Sequence, residues 1–140
     1  ADSIEAARRL DAVLAGNGIE RHEGKDVNGV LDGMVIGIEL ENGLRLVPNT
    51  TKLLSWLSAL HHLLQHRQAS PLQLNAFLGV PHWFAQLNRS LYAVFDSIYA
   101  VTTNDGQHVS RHLPDGVVGE LLLFALLSPY LEACLDRQWA

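Results

Sequence analysis

The chain has 140 residues, a hydrophobic fraction of 48% and a formal net charge of −5. That length fits one domain or a compact pair of subdomains, and that apolar content excludes a disordered chain. An acidic total is the opposite of the basic footprint of a general nucleic-acid binder. The charge is uneven, however. Residues 1–47 carry five basic and nine acidic side chains, and residues 113–140 carry one basic and four acidic. Residues 48–112 carry four basic and two acidic, with six of the seven histidines. Only this middle stretch has electrostatic appeal to a polyanion.

In chain order, Ile4, Ala7, Leu10, Val13 and Leu14 share one face of a helix over residues 3–15. Asp2 or Ser3 caps it, and Gly16-Asn17-Gly18 ends it. After a polar connection, "VIGIELENGLRLVP" alternates with a period of two. It reads as a strand over residues 35–41 with Ile36, Ile38 and Leu40 inward, packing near Leu10 and Val13. Asn42-Gly43 makes a two-residue hairpin turn, and the return strand holds Leu44 and Leu46 and ends at Pro48. Gly37 marks either a close backbone approach or a weak point in the strand.

A helix follows, with Leu53, Leu57, Leu60 and Leu64 on one stripe and Lys52, Ser55, His62 and His66 on the opposite face. Ser70-Pro71-Leu72-Gln73 has capping-box spacing, with proline at the first helical position. Gly79 is expected to close that helix and Pro81 to open another. On the latter Phe84, Leu87, Leu91, Val94, Phe95 and Ile98 share a face, while Arg89, Ser90 and Ser97 point away. Residues 102–114 are a loop turning at Asn104-Asp105-Gly106. A last apolar helix runs from Asp115 to Leu127, breaks at Ser128-Pro129 and resumes to the end. The expected class is α+β: a helix and a β-hairpin (residues 1–48), a helical bundle (49–101), then a loop and C-terminal helix (102–140).

Little in this order suggests catalysis. His62 and His66 are four apart, as in a zinc pair, but "ALHHLLQHRQ" supplies no third ligand, so no metal and no cofactor are expected. There is no phosphate loop, nucleophile elbow or paired-cysteine motif. The single cysteine, Cys134, excludes an internal disulfide and reads as a small buried side chain within a helix. Trp56, Trp83 and Trp139 could stack on bases, but at helical spacing they are more often packing residues. The stretch 117–131, interrupted by Glu120 and Pro129, is too short to span a bilayer. A start at Ala1 without methionine, and a stop inside a helical pattern, read as a processed piece or fragment.

Taken together, the parts resemble the back half of a retroelement reverse transcriptase. "LDAVLAGNGIERHEGKD" resembles the palm helix with its glycine turn and following lysine, here Lys25. "MVIGIELENGLRLVP" resembles the primer-grip hairpin, with Ile36-Gly37-Ile38 at its core and Asn42-Gly43 at its tip. "TTKLLSWLSALHHLL" is similar to the first thumb helix and "LNAFLGVPHWF" to a later thumb segment. "HLPDGVVGELLLFALLSPYLEACL" looks like the connection that precedes ribonuclease H. The resemblance implies a palm end, thumb and connection that position a primer–template in an RNA-directed DNA polymerase. It implies weak duplex contacts from Lys52, His62, His66, Arg67 and Arg89, and a role for Lys25 near the leaving pyrophosphate.

Two features depart from the pattern. No Asp-Asp pair is present to hold polymerase metals, so this chain is expected to be noncatalytic by itself. Glu39 and Glu41 place negative charge on the hairpin, and "GVPHWF" is less basic than its counterpart. The rival expectation is a structural or assembly subunit, either domesticated from such an element or only coincidentally similar to it, that meets other proteins through its apolar C-terminal helix.

Overall fold

The computed structural model describes residues 3–19, 30–35, 37–103 and 106–136. The expected Lys25, Ile36, Asn104-Asp105 and Trp139 lie outside these. The fold is α+β, as the pattern implies: a helix, a small antiparallel sheet, then a helical bundle. Among the described residues no helix is long and apolar enough to cross a membrane.

Helix α1 spans Ser3–Gly16. Its end is closed by the amides of Gly18 and Ile19, which donate to the carbonyls of Ala15 and Leu14, with Gly18 at φ 71°. The sheet that follows differs from the expected hairpin. Gly37 sits at φ 85°, so the chain turns there and the single strand expected over 35–41 becomes two. Strand β1 (Gly33–Val35) pairs antiparallel with β2 (Ile38–Glu41), Val35 facing Ile38 across the turn. Glycine reaches positive φ without a Cβ penalty, and that freedom outweighs the alternating pattern.

Strand β3 (Arg45–Pro48) pairs with β2 in the register Leu40↔Leu46 and Glu41↔Arg45. Asn42 (φ 52°) and Gly43 (φ 68°) are at the tip, but Leu44 is an added loop residue, so the connection has three residues rather than two. All four β2 side chains are half-buried, Glu39 and Glu41 as much as Ile38 and Leu40. Leu10 and Val13 are 59% and 60% exposed, so α1 does not seal one face of the sheet as expected. A one-sided core therefore never forms there.

Helix α2 (Thr50–His66) buries Trp56 and Leu60, with Leu53, Leu57 and Leu64 packed partly against the core. A short strand β4 (Gln68–Ala69) leads to α3 (Pro71–Ala85), which opens on the expected capping box of Ser70 and Gln73. Gly79 and Pro81 do not split α3, although the sequence suggests it. Pro81 has no N–H for the carbonyl of Phe77 one turn back. The indole Nε1 of Trp56 donates to that carbonyl instead, at 3.2 Å. The orphaned acceptor is thereby satisfied and the helix continues.

The expected long helix after Pro81 is broken beyond Ala85. A 3-10 helix (Arg89–Val94) starts where Asn88 accepts from the Ser90 amide, and α4 (Ser97–Thr102) follows. Its apolar positions still point inward: Leu91, Phe95 and Ile98 are buried. Strand β5 (Arg111–His112) pairs with β4, and the Leu113 amide donates to the Arg67 carbonyl. Helix α5 (Asp115–Leu127) has the expected bounds, followed by a 3-10 turn (Ser128–Tyr130). The helix does not then resume. Ala133–Cys134 forms β6, which pairs with β3 and makes the sheet order β1-β2-β3-β6. Cys134 is thus a half-buried strand residue, not a buried helical one.

One core runs from Trp56 to Leu131. Phe124 lies at its centre, 5.5 Å edge-on from Trp56 and 5.3 Å from Phe95, ring to ring.

Candidate nucleic-acid interface

Asn49 joins the sheet to the bundle. Its backbone N–H donates to the Gly37 carbonyl at 3.0 Å. Its side-chain oxygen accepts from the Lys52 amide at 2.9 Å, capping α2, while its amide nitrogen donates to the Glu39 carboxylate. Three bonds from one residue fix the direction in which α2 leaves β3. Glu39 is thereby occupied by a neutral donor rather than standing free beside the helix. The Lys52 side chain lies over Gly37, where a Cβ would come within 2.6 Å of its Nζ. Glycine at position 37 is favoured by its φ of 85°, whereas the flexible end of Lys52 could swing aside from a Cβ.

Beyond Lys52 the outer face of α2 carries Ser55, His62 and His66, all exposed. The His62 and His66 rings lie 4.3 Å apart, and His66 Nδ1 donates to the His62 carbonyl at 2.9 Å. Lys52 and His66 are fourteen residues apart, about 21 Å along the helix. Arg67 closes α2 in the left-handed conformation (φ 48°), and its guanidinium meets the Asp115 carboxylate at 3.3 Å. Both side chains are largely exposed, so the pair is weak, but it offsets part of the Arg67 charge. Arg89 lies at the start of the 3-10 helix after α3, on a different element from the α2 face.

A cleft of about 640 Å³ opens beside His62 and His66, between α2 and the start of α3. Gln68, Ser70, His108 and Ser110 also line it. A second hollow of about 440 Å³ holds Lys52, Ser55, Trp56 and Phe77, and shares Ala59 and Phe77 with the first. The two form a run along the α2–α3 seam. His108 and Ser110 come from the loop ahead of β5, which the β4–β5 pairing sets beside α2. Nothing local in the sequence signals that approach. Among the described residues no three His, Cys, Asp or Glu side chains are grouped to hold a metal ion.

The tryptophans do not offer stacking platforms in this face. Trp56 is 4% exposed. Trp83 is half-buried, with its Nε1 enclosed and unpaired.

Away from this face, three ionisable groups are perturbed. His82 stacks on Tyr99, whose hydroxyl meets His82 Nε2 at 2.7 Å, and burial pulls the imidazole below its ordinary pKa. Burial also raises the Tyr99 hydroxyl, with a further push from Tyr92. Burial pushes the Glu120 carboxyl up, but the Ser97 and Ile98 amides donate to it at 2.6 and 3.0 Å. The hydrogen bonds outweigh burial and the net shift is downward. Glu120 thus caps α4 from α5.

No family model, no curated protein and no solved structure matches the chain.

Proposed function

We propose that this chain is the palm end, thumb and connection of a reverse-transcriptase-like protein, noncatalytic by itself. In an intact RNA-directed DNA polymerase it would position the primer–template duplex. The observation that carries the reading is the Asn49 joint. A hairpin that holds a primer end must move as one piece with the helix that tracks the duplex, and Asn49 ties β2, β3 and α2 together without a linker. The 21 Å from Lys52 to His66 corresponds to about six base pairs of duplex.

The test is a titration with an RNA–DNA hybrid. Binding is expected to be weak, sequence-independent and lost with salt. Lys52→Ala reduces the slope of log affinity against log salt by about one. A chain that binds no hybrid at low salt and pH 6 overturns the reading. So does primer extension by the pure chain with Mg²⁺ or Mn²⁺, since the metal-binding carboxylates lie outside it.

One observation favours a second reading, an assembly subunit: α5 exposes Leu122, Leu123 and Leu126. Its test is binding of a hydrophobic dye to the native chain. Fluorescence that Leu126→Glu does not lower removes α5 as a docking face.

A further inference from the structure

The seam between α2 and α3 combines an apolar floor with one unpaired cation. The smaller hollow, about 440 Å³, is lined from α2 by Lys52, Ser55 and Trp56 and from α3 by Ala76, Phe77 and Val80. Ala59 and Phe77 also line the cleft of about 640 Å³, where Leu63 and Leu74 continue the apolar surface. Ala59 is the α2 residue at this junction and is exposed, so on that side only a methyl group stands between the hollows. Small molecules fill volumes of this size, with an apolar lining and a few polar groups to orient them.

Lys52 is the only Lys, Arg, Asp or Glu that lines either hollow. It has no ion pair among the described residues. Its flexible end lies over Gly37, at the sheet end of the seam. One unpaired ammonium at the end of an apolar floor suits a ligand with one negative charge and a long apolar body. A dianion would leave a charge unanswered, on a chain whose net charge is already −5. A neutral hydrocarbon would leave Lys52 unused. A duplex would use Lys52 but leave the floor bare.

We infer that the α2–α3 seam binds a straight-chain alkanoate, with its carboxylate on Lys52 and its chain running over Trp56, Ala59 and Phe77 toward Leu63. The inference goes beyond the duplex reading and does not rest on it. From Lys52 to Leu63 is eleven residues, about 16 Å along the helix. At about 1.3 Å per methylene, that length takes about twelve methylenes. A chain covered on one side gains about twofold in affinity per methylene, against about fourfold for full burial.

Calorimetric titration of the whole chain with octanoate, decanoate, laurate, myristate and palmitate, each below its micellar concentration, tests this. Affinity is expected to rise through myristate and to level off at palmitate. Decanoate should bind about fivefold more tightly than 1-decanol, the scale of an exposed ion pair. Two substitutions at exposed positions separate head from tail, with circular dichroism to check folding. Lys52→Met keeps an apolar stem and removes the charge, so it should abolish the preference for the acid and keep the gain per methylene. Ala59→Phe fills the junction, seven residues or about 10 Å from Lys52, so its series should level off near decanoate. A series that levels off at the same length in Ala59→Phe as in the parent overturns the proposal. So does a parent that binds 1-decanol as well as decanoate, or that binds neither. Loss of binding in Leu126→Glu would place the alkanoate on the exposed leucines of α5 and overturn it as well.

Discussion

Phe124 has none of its surface exposed, whereas Leu40 and Leu46, which face one another across the hairpin, are both half-buried. The bundle from α2 onward is built on apolar burial, with Trp56 and Phe95 both packed against Phe124. The sheet before it is built on particular hydrogen bonds and ion pairs. Asp32 accepts from the Asn42 amide at its tip, and Arg45 reaches both Glu41 and Glu132. Asn49 anchors its base. The contrast teaches where each region is vulnerable. The bundle is sensitive to lost volume, and the sheet to a single lost donor or acceptor.

The largest expected effect is in the bundle. Phe124→Ala should cost about 3–5 kcal/mol, because the cavity lies where the core cannot collapse. Urea unfolding followed at both regions checks it, and a sheet that melts together with the bundle would erase the contrast. Next is Trp56→Phe, which leaves the Phe77 carbonyl without its donor inside the core and should cost about 2 kcal/mol. Pro81→Ala supplies a backbone N–H to that carbonyl. In a double-mutant cycle it should recover part of the loss, and additive effects would show that the indole bond does not compensate for proline.

Asn49→Ala should cost less, about 1 kcal/mol, in line with a lost helix cap. Its signature is location: amide exchange should accelerate over residues 37–48 while Leu121 and Phe124 stay protected. Uniform acceleration would mean that the joint supports the whole molecule. The smallest effect is with pH. The His82 pKa is lowered in the folded chain, so between its ordinary value of about 6.5 and that lower value the unfolded chain binds more protons. Stability is full above about 6.5 and declines as pH falls below it. Glu120, also lowered, holds its contribution above the ordinary carboxylate range and loses it as pH falls through its folded pKa. Urea midpoints against pH should therefore fall in two steps. His82→Phe should flatten the first and Glu120→Gln the second.

The bundle was largely legible in the sequence because burial leaves a periodic trace. The stripe of Leu53, Leu57, Leu60 and Leu64 placed α2, and the Ser70–Gln73 spacing placed the start of α3. The bounds of α5 were readable from Asp115 and Ser128. What escaped is held by contacts distant in sequence. Pro81 reads locally as a break, and only Trp56, 25 positions earlier, makes it harmless. Gly37 fits an alternating strand until its positive φ turns the chain. Strand β6 has two residues and exists because β3 offers an open edge. At the interface, the exposed α2 face followed from helical spacing. Asn49 was the residue missed, although an asparagine just before a helix is a recognisable cap signal.

The bond between Trp56 and Phe77 also bears on the order of assembly. Until the indole arrives, α3 carries an unanswered carbonyl in its middle and gains little by forming beyond Phe77. Its second half should therefore consolidate only as α2 docks, at the same barrier. Conservative substitutions in α2 and in the second half of α3 should show similar φ-values, with lower values in the sheet. A helix that the proline could have cut in two becomes a timing device, finished by its neighbour.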